Sequence, residues 1–505
     1  MTPTLTPWDE HNRTLVANVH PPGWVNPAPA ARYNVVVVGA GTAGLVTAAV
    51  AAGLGARVAL VERHLMGGDC LNVGCVPSKA LLRAARAVAD VRRAGDFGVR
   101  VPDGTHVDFA AVMERLRRVR AAMSPADSAA RFRGLGVDVF LGAARFVGPD
   151  TVRVGEALLR FRRAVIATGA RAVVPDIPGL AEASCLTNET VFDLTELPRR
   201  LAVIGGGPIG CELAQGFARL GAAVTLLDTA SRILTREDVD VSACVERALT
   251  SDGVRLVLGS EIVSVQRGPA GERTLHVTSA QGAERLTADA IVVGAGRAPN
   301  VEDLGLAAAG VEFDARDGVR VDDRLRTSNR RIFAAGDVCS DHRFTHNSDA
   351  QARIVVRNAL FFGRARASAL TLPWCTYTDP EVAHVGLSAR DAEARGIRVR
   401  TYVRALADVD RARLDGETDG FVKIHVRPGS DRIVGGTVVA RHAGEIVSAL
   451  TMAIAGRIGL ARLANVIHPY PTQAEAIRAL GDAYNRERLT PWTKRALRAW
   501  FAARR

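Results

Sequence analysis

Residues 35–44 read VVVVGAGTAG and residues 202–210 read AVIGGGPIG, and the fold turns on these two stretches. Each is a run of apolar, mostly β-branched residues that stops at closely spaced glycines and continues into small residues. That order reads as a strand, a tight turn and the start of a helix. The first copy runs on to VALVE, ending at Glu62, and the second to VTLLD, ending at Asp228. Each predicts two parallel strands joined by a right-handed helical crossover. Val35 to Ala56 is uncharged and long enough to imitate a membrane-spanning helix. Gly39, Gly41, Gly44, Gly53 and Gly55 interrupt it, so no membrane span is expected.

In the first copy Gly39 allows the tight turn, Gly41 a close approach of a pyrophosphate to the backbone, and Gly44 the packing of helix on strand. The helix N-terminus adds positive potential. Glu62, about 20 residues on, stands where a carboxylate accepts a hydrogen bond from a ribose 2′-hydroxyl. Gly205, Gly207, Gly210 and Asp228 repeat the arrangement. Two dinucleotide sites in one chain imply two dinucleotides, and the economical pair is FAD with a nicotinamide cofactor. Asp228 would repel a 2′-phosphate, which favours NADH over NADPH, while Arg232 nearby weighs the other way.

The chain has 505 residues, 48% of them hydrophobic, enough for about three domains. Its net charge is +12, but the basic residues are scattered without interleaved aromatics, which argues against nucleic-acid binding. Seven cysteines, at 70, 75, 185, 211, 244, 339 and 375, are odd in number and mostly isolated, which suits a reducing compartment. Residues 1–31 are polar and proline-rich without the apolar core of a secretory signal, so a cytoplasmic location is expected. Only Lys79, Lys423 and Lys494 are lysines; the other 62 of the 65 basic residues are arginine. A lysine retained against that bias hints at a need for a compact ammonium.

Breaks at IPGL (177–180) and GRAPN (296–300) mark an inserted domain. The expected fold is α/β: an extension at 1–31, a discontinuous FAD domain at 32–180 and 300–365, and an NAD(P) domain at 181–299. An α+β dimerisation domain at 366–480 and a basic amphipathic tail at 481–505 complete it. The third domain is read from the strands GFVKIHV and IVGGTVVA and the helical EIVSALTMAIAGR. In the tail Thr490 is an N-cap with Pro491 at the first helical position. Residues 481–505 hold seven basic and two acidic residues. Such a helix can contact an anionic membrane surface weakly; packing on its own protein is the favoured reading.

Between the nucleotide motifs lies GGDCLNVGCVPSKALL (67–82), with four residues between Cys70 and Cys75. The spacing suits two thiols on one turn entering a helix, whose dipole favours thiolate. No second close pair of cysteine or histidine completes a tetrahedral zinc site, so no metal site is expected. This segment resembles the signature of the flavin-dependent pyridine nucleotide-disulfide oxidoreductases, the family of glutathione reductase, dihydrolipoamide dehydrogenase and mercuric reductase. IATGARAVVPDIPGL, GGGPIGCELAQ, VGAGRAPN, TSNRRIFAAGDV and TDPEVAHVGL follow in the family's order.

The resemblance implies that Cys75 lies next to the flavin and that Cys70 is the interchange thiol. It implies that Lys79 pairs with Glu212, that Asp337 bonds the ribitol chain, and that Gly68, Thr168, Gly169 and Gly296 line cofactor. It implies a homodimer acting on a small-molecule acceptor: hydride passes from the nicotinamide to the flavin, whose electrons open the Cys70–Cys75 disulfide.

One departure bears on that acceptor. Disulfide reductases of this family end in a His-Pro-Thr motif whose histidine, paired with a glutamate, relays protons. Here IHPYPTQAE (467–475) puts Tyr470 in the histidine's place, with Glu475 retained and His468 two residues earlier. A phenol with an ordinary pKa near 10 is a poor base at neutral pH. Mercuric reductases also resemble this chain in having tyrosine there, since a thiophilic metal ion needs thiolates more than a relay. Against that, no cysteine follows Cys375, where mercuric reductases carry a C-terminal pair. The expected acceptor is therefore a disulfide or a thiophilic metal ion. The alternatives are dihydrolipoyl dehydrogenase and a membrane-surface redox carrier or sensor.

Overall fold

The computed structural model describes residues 5–269 and 271–504. The chain divides into two compact units, one of residues 5–231 with 253–370 and the other of residues 232–252 with 371–504.

The first unit is built on two open sheets. Tyr33–Val38 lies between Val58–Glu62 and Ala157–Ile166, all parallel, with Val137–Leu141 outside Val58–Glu62 and Ile332–Ala334 pairing along Ala157–Ile166. Val35, Val37, Leu60 and Val165 are fully or almost fully buried, and Val36 and Ala164 fill the other face. Strands sealed on both faces explain the unbroken apolar runs of the sequence. The second sheet repeats the plan: Arg255–Leu258, Ala223–Asp228, Arg200–Ile204 and Ala290–Val293, all parallel. The expected strand-helix-strand units are both present, with helices at Thr42–Gly53 and Pro208–Leu220. Among the described residues no helix is long and apolar enough to cross a membrane.

The N-terminal arm belongs to this unit. Its helix Glu10–Val19 is capped by Asp9, which accepts from the Asn12 N–H, and it buries Leu15, Val16 and Val19 completely. Trp24 donates its indole N–H to the Val139 carbonyl at 3.1 Å.

The second unit is a five-stranded antiparallel sheet in the order Pro373–Thr376, Glu381–Gly386, Ile433–Ala440, Phe421–Val426 and Arg400–Ala405. Ala443–Ala455 and Glu475–Glu487 cover it, with Leu450, Ile477 and Leu480 in its core. The crossover helix Val239–Ser251, which follows the second glycine motif in sequence, packs in this unit. Lys423 Nζ holds Asp238 at 2.7 Å and Asp240 at 2.8 Å, and the Trp374 indole donates to Glu237 at 2.7 Å. The tail forms the helix Pro491–Ala502, capped by Thr490 as expected. None of its residues is buried and Trp492 is 76% exposed, so the favoured packing of this helix on its own chain is not seen.

Candidate active site

The glycine turns are shaped as their residue types require. Gly39 and Gly205 have φ of +102° and +110°, a region that side chains avoid. A Cβ on Gly44 would stand 1.8 Å from the Gly39 carbonyl oxygen, and one on Gly210 at 1.8 Å from the Gly205 oxygen. The two acidic residues make matching bonds. Glu62 accepts from the Ala40 N–H at 2.7 Å and the His64 N–H at 2.8 Å; Asp228 accepts from Gly206 at 2.5 Å and Ala230 at 2.7 Å. Burial pushes the Glu62 carboxyl above its usual range, against the pull of the Ala40 and His64 N–H groups. Arg232 spends its guanidinium on the Glu237 and Thr235 carbonyls and the Ser242 hydroxyl.

The cysteines sit on adjoining short elements. Cys70 lies in the helix Gly68–Asn72, and Cys75 opens the 18-residue helix Cys75–Arg92. Both are free thiols, Cys75 the more exposed. The Cys70 thiol donates toward Cys75 and holds it down to about 6 although burial pushes the other way; Thr345 and the Lys79 ammonium add to the lowering. The same hydrogen bond, with burial, pushes Cys70 far up. The pair therefore favours its proton on Cys70 and its charge on Cys75. Lys79 Nζ lies 2.8 Å from Glu212 Oε2, the pairing the resemblance implies.

Sequence reasoning missed Thr345. Its hydroxyl is 3.3 Å from Cys75 Sγ, at the start of the helix Thr345–Leu360 and 270 residues away in sequence. No local pattern signals such a contact. Arg297 was missed too: it pairs with Asp69, lies 3.8 Å from Asp337 and donates to the Ala170 carbonyl at 2.7 Å. Burial raises the Asp337 carboxyl, which Arg297 partly offsets. Thr168 donates to the Asn300 carbonyl at 2.7 Å, and Gly169 and Gly296, both at positive φ, carry the chain past it.

In the second unit Tyr470 is 69% exposed and its hydroxyl donates to Asp410 at 3.2 Å, a bond that raises the phenol further. His468 turns Nδ1 to the Val466 carbonyl at 2.9 Å, and Glu475 pairs with Arg478 at 2.8 Å. Among the described residues no hydrogen bond joins Glu475 to His468 or Tyr470.

Residues 33–352 match the model of the pyridine nucleotide-disulphide oxidoreductases, and residues 372–480 match that family's dimerisation domain. The chain belongs to this family. Mercuric reductase of Staphylococcus aureus is 33% identical over 456 residues, covering 90% of this chain and 83% of that protein. Dihydrolipoyl dehydrogenase of Chlamydia muridarum is 32% identical over 452 residues, covering 88% of this chain and 95% of that protein. Among solved structures, the HOCl-induced flavoprotein disulfide reductase RclA of Escherichia coli superposes with a TM-score of 0.79 at 28% identity, over 89% of this chain and 99% of that one. The Cu(II) complex of a cysteine-to-serine mutant of RclA gives 0.80 at 28% identity, over 89% of this chain and 98% of that one.

The family is FAD-dependent and uses NAD(P)H. The residues of this chain fit those groups: the backbone is left open at Gly41 and Gly207, and the buried Arg297 Nε has no hydrogen-bond partner among the described residues, leaving a donor for a bound acceptor.

Proposed function

We propose that this protein is a homodimeric reductase that takes electrons from NADH and delivers them through Cys70 and Cys75 to a thiophilic metal ion. The observation that carries the reading is Tyr470, an exposed phenol whose bond to Asp410 holds it more firmly in its protonated form, unable to take up a proton, in the place where disulfide reductases need a proton relay. Mercuric reductases are among the relatives. NADH is favoured because Asp228 presents a carboxylate at the ribose position and the Arg232 guanidinium is taken up by carbonyls.

A bound flavin supplies the two-electron relay between nicotinamide and sulfur. Glu62 and Asp228 would face the two riboses, while the Lys79 ammonium favours the Cys75 thiolate and the proton is favoured on Cys70. The Cys70–Cys75 bond opens on taking two electrons and one proton, and closes on giving them up. For Hg(II), one NADH and one metal ion yield NAD⁺, Hg(0) and one proton; Cu(II) would be consumed two ions at a time.

The test compares NADH oxidation by the flavin-loaded enzyme with Hg(II) in excess thiol, with Cu(II) and with oxidised lipoamide. Metal turnover should exceed lipoamide turnover by about 10²-fold, the lower range of what a general acid-base group contributes. Tyr470→His should raise the lipoamide rate, and Cys75→Ser should abolish turnover with every acceptor. Lipoamide turnover equal to that with metal defeats the metal reading; full activity of Cys75→Ser defeats the redox pair.

A further inference from the structure

The N-terminal arm lies outside the matched family segments, which begin at residue 33. It does more than cover apolar surface. Asn12 is completely buried, and its side-chain oxygen accepts from Arg120 Nη2 at 2.6 Å. Arg120, itself only 2% exposed, uses its Nη1 on the carbonyl of Asn72 at 2.6 Å. Asn72 is one of the four residues between the cysteines, and its amide holds the Met66 and Gly68 carbonyls at 3.0 and 2.9 Å. The Met66 N–H in turn donates to the Val19 carbonyl at 3.1 Å, at the end of the arm's helix. The arm thus grips the cysteine loop at two points.

Its own position is equally tied. Asp9 accepts from Arg117 Nε at 2.5 Å, the Asn12 amide donates to the Pro7 carbonyl at 2.7 Å, and Asn18 donates to the Ser124 hydroxyl at 2.8 Å. Asp9, Arg117 and Asp193 are the charged groups that face Arg120. A buried guanidinium is costly to leave unbonded, and with Arg120 Nε lacking a partner among the described residues its bonds to Asn12 and Asn72 compensate that burial, which holds both ends in one geometry.

We propose that the N-terminal arm is a positioning element of the redox centre: Asn12, acting through Arg120, fixes the loop that sets the approach of Cys70 to Cys75. The inference rests on the reading of these two cysteines as the redox couple. The arm touches neither sulfur; it acts on the distance over which Cys70 donates to the Cys75 thiolate. Loosening the loop weakens that donation and makes Cys75 harder to ionise.

The experiment alkylates the reduced, flavin-loaded protein with iodoacetamide across a pH series and locates the modified cysteine by mass spectrometry. Wild-type Cys75 should react with a midpoint near pH 6. Asn12→Ala should raise that midpoint by about half a unit or more, the size expected when one hydrogen bond to a charged form is lost. Asn12→Asp keeps an acceptor for Arg120 and should restore it. Leu15→Ala damages the arm's apolar face without touching the bridge and should leave the midpoint in place. If Asn12→Ala does not fold, Arg120→Lys, too small in its head group to span both partners, replaces it. An unchanged midpoint in the bridge variants, or an equal shift in Leu15→Ala, overturns the inference. Full NADH-linked turnover in Cys75→Ser, with no cysteine pair left to open and close, defeats the underlying redox reading instead.

Discussion

Lys79 and Lys423 are two of the chain's three lysines, and both meet carboxylates, yet they do different work. Lys79 is 35% exposed at the mouth of the cysteine site, paired with the buried Glu212. Lys423 is 5% exposed inside the second unit, caught between Asp238 and Asp240. An ammonium kept partly wet can respond to a neighbouring charge that comes and goes, such as a thiolate. One sealed between fixed carboxylates cannot, and serves as a bolt. The same residue type, in a chain that otherwise writes its cations as arginine, stands once at a cysteine site and once sealed between carboxylates.

The largest expected effect follows from removing the bolt. Lys423→Met leaves Asp238, 10% exposed, without its cation. Breaking a buried pair from one side costs about 3–5 kcal/mol, because the remaining charge stays desolvated. Thermal melting should show the loss, and limited proteolysis should cut first within residues 232–252, the segment that Lys423 holds. If melting moves no more than for a surface lysine such as Lys494, the contrast between the two sites collapses.

The other lysine should show itself in chemistry as well as in stability, since its removal also takes the ammonium from Glu212, 7% exposed. Cys75 is held down to about 6 first by Cys70 and then, among smaller causes, by Lys79. A group whose ionised form is favoured titrates low, so alkylation of wild-type Cys75 is nearly complete in its rise by pH 7 and falls away below pH 6. Lys79→Met removes a cation that favours the thiolate. The midpoint should move up, by about 0.5–1 unit, equivalent to about 1 kcal/mol. A midpoint that stays put or moves down would mean that the Lys79 ammonium does not act on the thiolate, because the Glu212 charge left behind also pushes Cys75 up.

The two sites also differ in how readable they were. Lys79 stands four residues from Cys75, inside a motif, so its neighbourhood could be read locally. The glycine turns were legible for the same reason: Gly39 to Glu62 and Gly205 to Asp228 are short stretches in which periodicity and turn chemistry dictate the backbone. Lys423 could be singled out by composition, but its partners lie more than 180 residues earlier. Thr345 beside Cys75, and the bridge from Asn12 through Arg120 to Asn72, are non-local in the same way. Such contacts come from the closing of sheets and the docking of an arm, and leave no spacing in the chain. The tail failed differently: its amphipathic pattern correctly gave a helix, but a pattern states only that a face needs covering.

The smallest effect separates the two carboxylates that share Lys423. Asp238 is the N-cap residue of the helix Val239–Ser251 and is nearly sealed, whereas Asp240, in its first turn, is 51% exposed. Asp240→Asn leaves Lys423 its bond to Asp238 at 2.7 Å, so no buried charge is stranded. What is lost is a half-wet ion pair and one favourable charge at a helix N-terminus, each worth roughly 0.3–1 kcal/mol at most. Asp238→Asn removes the sealed partner and should cost several times more. Melting in low and high salt discriminates further: the Asp240 contribution should shrink as salt screens it, and the Asp238 contribution should persist because solvent ions cannot reach it. Equal losses in the two variants would mean that Lys423 sits in a site far wetter than its burial implies, and the distinction from Lys79 would then be one of position and not of environment.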